Sequence, residues 1–552
     1  MPSNYRPISL ISCVGKIMER IVYKYVYNHL QSQKLIYQYQ SGFLPKNSTV
    51  HQLLEIYNDI LNSFEKIEIN CFVFCDFSKA FDKVWHKGLL HKLNAYGVNG
   101  NLHKWFGSYL QNRKQRVVVN DSSSSLQTVL GGVPQGSVLG PLLFIIYIND
   151  IAESLTSLTR LFADDTSFSC SSDDGTQIQS VINHDLNALS EWSRKWLMSF
   201  NPNKTEIMLF SNSEVPELNF NFDGNNIPIT NHHKHLGVTL RDDAKWSTHI
   251  DNIIMSASKP INVLRKLKYK LSRSNLEKLY LVYIRPIFEY ACEVWDNCGV
   301  ENAHRLELMQ LEAARIITGL PIFTNTRKIY QELGWESLQE RRNKRKLQLF
   351  YNIQNGNAPQ YLRSLIPPSI QSTTTYPLRN AEDIIIPFCR LSLTNNSYIP
   401  STIRQWNRLD KSIRNSDSLS RFKTELKKIN AECEPVPKYF SYGPRKLNIV
   451  LTQFRCSATF LNYDLYRVNI LSDPSCRCGD QREDYFHYFF ECPLYNDLRK
   501  TLIDSLVWLP DSLNLSIQLL TSGDSSLNDN QNKDIFRNTF LYIKKSKRFL
   551  IS

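Results

Sequence analysis

Two short stretches of the chain decide its fold, and both set acidic residues beside apolar ones. Residues 71–82 read C-F-V-F-C-D-F-S-K-A-F-D, and residues 161–166 read L-F-A-D-D-T. The first is an apolar run that ends at Asp76, which is the pattern of a buried strand. The second places Asp164 and Asp165 between two apolar segments, so it predicts a hairpin with acids at its tip. Since an acid at the end of a strand can point into a cleft, the two stretches together predict a carboxylate site.

Carboxylates brought together in this way are suited to magnesium chemistry. Two acids can hold two Mg²⁺ ions roughly 3.5–4 Å apart, one activating a 3′-hydroxyl and the other stabilising a leaving pyrophosphate. Mg²⁺ is a hard cation that prefers oxygen ligands and keeps substrate phosphates in its shell. An Asp-Asp pair is also a common turn sequence, and the chain has two more, at 173–174 and 242–243. The pair alone therefore does not establish a metal site, and the surrounding motifs have to decide.

Seven motifs, two of which contain these acids, follow one another within residues 4–245. They read N-Y-R-P-I-S-L (4–10), Q-S-G-F-L-P-K-N-S-T (40–49), C-D-F-S-K-A-F-D (75–82), G-V-P-Q-G-S-V-L-G-P (132–141), L-F-A-D-D-T (161–166), N-P-N-K-T-E-I-M (201–208) and H-L-G-V-T-L (235–240). In content and order they resemble the motifs of reverse transcriptases from non-LTR retrotransposons, of the LINE type and jockey-like. The resemblance implies an α+β fold of the right-hand polymerase type, with fingers and palm followed by a helical thumb and a small Cys/His C-terminal module.

The resemblance also implies catalytic roles for four residues. Asp76 and Asp164 would be metal ligands for two Mg²⁺ ions, and Asp165 would complete the acidic triad. Lys204 matches the lysine that these enzymes place near the leaving pyrophosphate, where it would act as a general acid. The alternative for Lys204 is an ordinary solvated lysine.

Five further positions match residues that contact the incoming nucleotide in this family. Phe81 falls where a bulky ring would exclude a ribose 2′-hydroxyl and so favour dNTPs, although core packing is the simpler explanation for a phenylalanine. Gln135 and Gly136 lie in the loop before a predicted helix, and a glycine there allows close approach of backbone to the nucleotide. Arg6 and Lys46 are candidate fingers residues for the triphosphate.

The resemblance, together with the hydrophobic pattern, implies four domains. Apolar spacing predicts helices over 16–30, 50–64, 139–155 and 176–200, and strands over 116–120 and 205–211. Residues 1–245 are expected to form the fingers and palm, 246–355 a helical thumb and post-thumb region, 356–440 a linker or irregular connector, and 441–552 a C-terminal region with a zinc knuckle. The first helix is expected to place five apolar residues on one face, namely Ile17, Ile21, Val22, Val26 and Leu30.

The charge of the chain suits a polyanionic partner. Lys and Arg number 65 against 52 Asp and Glu, which gives a net charge of +13. Between Lys259 and Arg285 eight basic residues face a single acid, Glu277. Such a segment predicts a basic thumb helix pair that follows a duplex backbone, although a solvated helix face has the same composition. The partners implied by the resemblance are an RNA template, a DNA primer or target, and dNTPs.

A Cys/His cluster lies near the end of the chain. Cys476, Cys478, His487 and Cys492 form the pattern C-x-C-x8-H-x4-C. Three thiols and one imidazole can close a tetrahedral Zn²⁺ site, and a cysteine cluster at this end of the chain is similar to that of non-LTR elements. The C-x-C start is tighter than the usual C-x2–4-C, so an unliganded, reduced cluster is the alternative.

Other features of the sequence limit where and how the protein acts. The 12 cysteines are too sparse for a disulfide scaffold and fit a reduced compartment. Neither a signal peptide nor a membrane-spanning run is evident, so nuclear or cytoplasmic location, no secretion and no membrane partner are expected. The first motif begins at Asn4, so the endonuclease that precedes it in relatives is expected to be missing. Two other functions remain possible: an inactive element remnant that only binds nucleic acid, and a maturase-like splicing cofactor. The oligomeric state is open.

Overall fold

The computed structural model describes residues 8–373, 380–429 and 436–549. Its internal contacts divide the chain into two compact units, each assembled from separate segments. One unit comprises residues 1–249, 293–297 and 346–414, and the other comprises 250–292, 298–345 and 415–552.

The first unit contains a mixed set of helices and strands. Its helices are α1 (Cys13–Ser32), α2 (Thr49–Lys66), α3 (His86–Ala95), α4 (Gly100–Leu110), α5 (Leu139–Ile148) and α6 (Gly175–Trp196). Its strands are β1 (Ile69–Asp76), β2 (Lys114–Gln115), β3 (Val118–Val119), β4 (Ser122–Ser123), β5 (Gln127–Thr128), β6 (Leu158–Phe162), β7 (Asp165–Ser172), β8 (Glu206–Phe210), β9 (Asn221–Phe222), β10 (Asn225–Asn226), β11 (His232–His235) and β12 (Val238–Arg241).

A four-stranded antiparallel sheet forms the centre of this unit. Its strand order is β6-β7-β1-β8. Seven of the eight residues of β1 are buried, which explains why this strand has a continuous apolar run instead of an alternating one. Residues from α2 and α6 contact the sheet, so its central strand is shielded from water. Asp76, the last residue of β1, is the first one that is partly exposed.

A buried arginine attaches the β6–β7 hairpin to helix α2. The Arg160 side chain is fully buried, and its Nη2 donates to Glu55 Oε1 at 2.9 Å and to Asp59 Oδ2 at 2.8 Å. Its Nη1 donates to Ser169 Oγ at 2.7 Å. Removing one partner of such a buried pair typically costs about 3–5 kcal/mol, because a charge is then left uncompensated. The network therefore links the hairpin that carries Asp164 and Asp165 to the core.

Helices make up most of the rest of the described chain, as the sequence predicted for residues 246–355. The helices are α7 (Ser247–Leu267), α8 (Arg273–Leu279), α9 (Arg285–Glu289), α10 (Cys292–Trp295), α11 (Val300–Thr318), α12 (Thr326–Leu333), α13 (Leu338–Gln354), α14 (Gln360–Ser364), α15 (Ser392–Asn395), α16 (Tyr398–Asn407), α17 (Lys411–Arg414), α18 (Leu419–Ile429), α19 (Arg445–Arg455), α20 (Asn462–Arg467), α21 (Asn496–Ser505), α22 (Ile517–Ser522) and α23 (Asp529–Ser546). None of the helices in the described part of the chain is both long enough and apolar enough to cross a bilayer.

Three predictions about the fold are wrong. Residues 356–440 were expected to be irregular, but they contain α14 to α18. The single strand expected over 116–120 is broken into short strands of an exposed ribbon. Ile17 and Ile21 do not share the buried face of α1: they are 59% and 51% exposed, whereas Val22 is buried. Val22 is five positions after Ile17, which places their side chains about 140° apart around the helix. The division into fingers, palm, thumb and C-terminal region stays a prediction.

Candidate functional site

The pairing of β1 with β7 brings the three acids together. Asp76 lies directly opposite Asp165 in the antiparallel register. Cα atoms of such a pair are about 4.5–5.5 Å apart, and consecutive Cα atoms are about 3.8 Å apart. The Cα atom of Asp164 therefore lies within about 10 Å of that of Asp76. The Asp76 side chain is 33% exposed, and Asp164 and Asp165 are also partly exposed, so solvent ions can reach all three.

The hairpin expected from L-F-A-D-D-T is present, and its turn is tight. Phe162 pairs with Asp165, so only Ala163 and Asp164 connect β6 to β7. Ala163 has φ +55°, in the left-handed region that costs a non-glycine residue about 1–2 kcal/mol. The position of Asp164 thus depends on a strained turn that neighbouring structure has to hold.

Residues 39–42 hold this turn from the edge of the sheet. The amide N–H of Leu161 donates to the carbonyl of Tyr39 at 3.1 Å, and the N–H of Ser41 donates to the carbonyl of Leu161 at 2.8 Å. The buried side-chain oxygen of Gln40 accepts from the N–H of Ala163 at 3.2 Å and from that of Gly42 at 2.8 Å. The segment therefore extends β6 sideways and caps the turn with a side-chain hydrogen bond.

Gly42 is required by the closeness of this contact. A Cβ atom on Gly42 would lie 2.3 Å from the backbone nitrogen of Ala163 and 2.9 Å from its Cβ atom. The motif at 40–49 predicted no role for Gln40 or Gly42. The local sequence signal was a glycine beside a polar residue in a family motif. Such a signal does not indicate which backbone segment will approach the glycine.

Lys204 lies at the end of β1, in contact with one of the acids. Its ammonium Nζ is 2.8 Å from Asp76 Oδ2, and its side chain is 65% exposed. The preceding segment is tied to the same strand end, since the N–H of Asn201 donates to the carbonyl of Asp76 at 3.0 Å. The N–H of Ser78 donates to the carbonyl of Ser199 at 2.8 Å. Lys204 is therefore part of the acidic site rather than a remote surface lysine.

The expected nucleotide residues Phe81 and Gln135 lie beside one another near the end of β1. The N–H of Val133 donates to the carbonyl of Phe81 at 2.8 Å, and Gln135 Nε2 donates to Asp82 Oδ1 at 2.9 Å. The Phe81 ring stacks on Phe144, with ring centroids 4.6 Å apart and planes at 15°. These contacts fix the loop to the segment that follows Asp76.

Three other expected residues have different outcomes. Gly136 has φ +97°, and a Cβ atom there would be 3.1 Å from the Ser9 carbonyl oxygen, so its close neighbour in this structure is the chain itself. The Lys46 ammonium donates to the carbonyl of Gly356 at 3.2 Å, which is not one of the acids of the site. Arg6 lies outside the described residues.

The four residues of the Cys/His cluster converge in the second unit. Their ligand atoms all lie within 4.8 Å of one another. The Sγ atoms of Cys476 and Cys492 are 3.9 Å apart, and Cys478 Sγ is 3.3 Å from His487 Nε2. Zn–S bonds of about 2.3 Å at tetrahedral angles imply sulfur–sulfur distances of roughly 3.5–4 Å. The cluster could therefore hold a metal ion with little rearrangement.

The surroundings of the cluster explain how so short a motif is held. The N–H of Cys476 donates to the carbonyl of Asp480 at 2.8 Å, and Gly479 turns the chain between them with φ +99°. Burial raises the pKa of the Cys476 and Cys492 thiols. A bound cation would favour the thiolate forms instead.

A hydrophobic core supports the cluster from one side. Tyr488 and Phe489, which lie between His487 and Cys492, are 1% and 0% exposed and belong to a core built by α19, α21, α22 and α23. These two aromatic residues therefore pack in the core rather than present their faces to a ligand. Phe486 is 50% exposed. Because of this core, metal binding is not the only source of local stability.

Comparison with known proteins identifies the class of the first unit's main segment. Residues 2–246 match the family described as reverse transcriptase (RNA-dependent DNA polymerase). These residues therefore form a reverse transcriptase domain, and the Asp76–Asp164–Asp165 group lies within it.

The similar proteins narrow this class. The RNA-directed DNA polymerase from mobile element jockey of Drosophila funebris is 30% identical over 343 residues, which cover 60% of this chain and 37% of that protein. The probable RNA-directed DNA polymerase from transposon BS of Drosophila melanogaster is 28% identical over 358 residues, covering 61% and 39%. The chain is similar to jockey-like reverse transcriptases of non-LTR retrotransposons, and it spans about two fifths of the length of these relatives.

Two more distant similarities complete the comparison. The putative 115 kDa protein in type-1 retrotransposable element R1DM of Drosophila melanogaster is 24% identical over 515 residues, covering 90% of this chain and 46% of that protein. Among solved structures, apo telomerase from Candida Tropicalis aligns with 55% of this chain and 50% of its own at 12% identity, with a TM-score of 0.34. The last similarity is too weak to define the fold.

The contact at Gly42 leads to a stability prediction with an internal control. Gly42→Ala should lower the free energy of unfolding by about 1–3 kcal/mol, because the added methyl group overpacks against the Ala163 backbone. Gly107→Ala, in the middle of α4 and with open space around its Cα atom, should instead raise it by about 0.5–1 kcal/mol. Urea denaturation of both variants measures the difference. Equal stability of the two variants would contradict the proposed close approach.

Proposed function

We propose that this chain is an RNA-directed DNA polymerase of a non-LTR retrotransposon, which extends a primer 3′-end on element RNA by phosphoryl transfer with two Mg²⁺ ions. The observation that carries the proposal is the register of β1 and β7, which sets Asp76 opposite Asp165 with Asp164 in the adjoining turn. This arrangement lies inside a reverse transcriptase domain. The names of the similar jockey and BS proteins support the same activity.

The carboxylates of Asp76 and Asp164 are the proposed Mg²⁺ ligands, and Asp165 completes the acidic group. Carboxylate oxygens in partly exposed positions suit a hard cation that retains water and phosphate ligands. Magnesium, when bound, would supply activation of the 3′-hydroxyl and neutralisation of charge on the leaving pyrophosphate. The task of the chain is to hold the acids in place, through the buried strand β1, the Arg160 network and the cap on the Ala163 turn.

Lys204 is the proposed proton donor to the leaving pyrophosphate. Its ammonium group is 2.8 Å from Asp76 Oδ2, and this ion pair keeps it beside the site. The long, largely exposed side chain can turn toward a phosphate without loss of buried contacts. This geometry favours a role in the reaction over the alternative, which is an ordinary solvated surface lysine.

Phe81 is the proposed barrier against ribonucleotides, and Gln135 and Gly136 are proposed to line the nucleotide. Stacking against Phe144 holds the Phe81 ring in one orientation, so the ring is a fixed wall and not a mobile side chain. Gln135 is held to Asp82, immediately after Phe81. The loop and the ring therefore form one connected surface next to the acids.

The basic thumb segment is proposed to bind the template–primer duplex, but with fewer free cations than its sequence suggests. Lys259, Lys266 and Lys270 are exposed. Arg265 forms an ion pair with Glu312, and Arg273 is buried in an ion pair with Glu332. The exposed lysines, which also include Lys278, are therefore the proposed phosphate contacts.

Replacement of Asp164 tests the catalytic proposal directly. Asp164→Asn removes a charged ligand with almost no change in volume, so primer extension on an RNA template should fall at least about a thousandfold. Duplex binding and the unfolding midpoint should stay close to those of the unaltered chain. Asp173→Asn, in the Asp-Asp pair at 173–174 that lies outside the sheet register, is the matched control and should retain extension. Substantial extension by Asp164→Asn would assign the metal to another group, and an unaltered chain that binds but never extends would favour the inactive remnant.

Sugar discrimination tests the role of Phe81. Phe81→Ala should increase incorporation of ribonucleotides relative to deoxynucleotides by roughly tenfold or more, since the wall against a 2′-hydroxyl is removed. Phe144→Leu, which removes the stacking partner but leaves the wall, should change the ratio less. Competing rNTP and dNTP extension on one template gives the ratio. If it stays constant in Phe81→Ala, Phe81 is only a core residue.

We also propose that Cys476, Cys478, His487 and Cys492 bind one Zn²⁺ ion. Purified full-length chain should contain close to one zinc per molecule, measured by atomic emission. Cys492→Ser should lower the zinc content and reduce the thermal stability of the second unit, because the three remaining ligands are left without their cation. Cys456→Ser, a buried cysteine outside the cluster, is the control and should keep its zinc. A metal-free chain whose melting is unaffected by a chelator would exclude the site.

A further inference from the structure

Residues 114–128, called here the exposed ribbon, form a two-stranded hairpin in the first unit. Lys114 and Gln115 pair with Thr128 and Gln127, and farther out Val118 and Val119 pair with Ser123 and Ser122. The turn at its tip consists of Asn120 and Asp121, with φ +45° and +66°. Two consecutive residues with positive φ are typical of a tight hairpin turn that matches the twist of its strands.

Neither face of the exposed ribbon is covered. All of its residues are exposed, and the three consecutive valines Val117, Val118 and Val119 are 59%, 58% and 61% exposed. Side chains of neighbouring strand residues point to opposite faces, so both faces must be open for all three to be exposed equally. An isolated two-stranded hairpin is marginally stable in water, and exposed valines gain free energy when they are covered. The exposed ribbon therefore has the properties of a binding surface.

The charge of the exposed ribbon indicates the chemistry of that partner. Lys114 and Arg116 are exposed, and Asp121 at the tip is its single acid. Among the ion pairs of the described residues, none involves Lys114 or Arg116. Cations beside small apolar side chains on a narrow ribbon suit a nucleic-acid groove, where phosphates flank sugars.

The roots of the exposed ribbon lie beside the proposed nucleotide site. The N–H of Val129 donates to the carbonyl of Arg113 at 2.9 Å, which closes the base of the hairpin. Three residues farther along, the N–H of Gly132 donates to the carbonyl of Val84 at 2.8 Å. A Cβ atom on Gly132 would lie 2.8 Å from the carbonyl oxygen of Asp82. The ribbon thus projects from the same loop that carries Gln135.

We propose that the exposed ribbon docks in a groove of the RNA–DNA template–primer duplex, with its valines against the sugars and with Lys114 and Arg116 against phosphates. This role rests on the proposed polymerase function, because it needs a duplex that leaves the acidic site. Hybrid duplexes with A-form character present a wide, shallow minor groove that such a ribbon can enter. The contact would be independent of sequence and would hold the duplex during extension.

Binding measurements without catalysis test the proposal separately from the polymerase activity. The full chain with Asp164→Asn would be titrated against a fluorescein-labelled RNA template–DNA primer duplex at several salt concentrations. Lys114→Glu/Arg116→Glu should weaken binding, and the slope of log K against log salt should fall in magnitude by about two, since two phosphate contacts are lost. Val118→Asp should weaken binding without removing a cation.

A control with the same charge change separates docking from general electrostatics. Arg20→Glu/Lys24→Glu alters two exposed residues of α1 and should leave the slope unchanged. An equal loss in both double variants would overturn the proposal. Normal duplex binding by the ribbon variants, with loss of self-association in sedimentation, would overturn it in favour of a protein partner. If the chain without the Asp164→Asn substitution fails to extend primers while the ribbon variants still weaken duplex binding, the polymerase function alone is refuted.

Discussion

The antiparallel pairing of β1 with β7 is the constraint on which the rest of the site depends. The two strands pair residue by residue from Ile69 opposite Ser172 to Asp76 opposite Asp165. A slip of one residue would turn every side chain to the other face of the sheet, and a strand buried on both faces has little tolerance for that. Core packing, rather than any attraction among the acids, therefore places the carboxylates together.

The same core has to hold a local conformation that the acids alone would not maintain. Ala163 has an unfavourable positive φ, and three carboxylates in one small region repel one another. Gln40 and Gly42 offset part of this cost, the first through its side-chain acceptor and the second through the absence of a side chain. Arg160 adds an attachment to helix α2 on the other side of the hairpin. The surrounding contacts thus preorganise the acids of the proposed metal site.

The Cys/His cluster and the exposed ribbon represent opposite solutions for short segments. The cluster rests on a core that includes Tyr488 and Phe489, so a metal ion would complete a structure that is already supported. The exposed ribbon is paired at its base by Lys114 and Gln115 with Thr128 and Gln127, and its valines are exposed. Covering these valines requires an extended partner surface. We therefore expect the partner of the ribbon to be a macromolecule and not an ion.

Local pattern was enough to locate the elements that carry chemistry. The buried strand that ends at Asp76, the hairpin around Asp164 and the convergence of the Cys/His cluster were all predicted from the sequence. Each of them depends on residues that are close together in the chain. Family resemblance added the roles, which the contact of Lys204 with Asp76 supports.

Tertiary structure decided everything that depends on which surfaces meet. The cap on Ala163 joins residues more than a hundred positions apart, and the burial of Arg273 against Glu332 withdraws a cation that the sequence counts as free. Ile17 is as apolar as the buried Val22 of the same helix, and Val117 is as apolar as the buried Val73 of β1, yet Ile17 and Val117 are exposed. Hydrophobicity of a residue determines that its burial is favourable, but only the packing of the whole unit determines whether another surface reaches it.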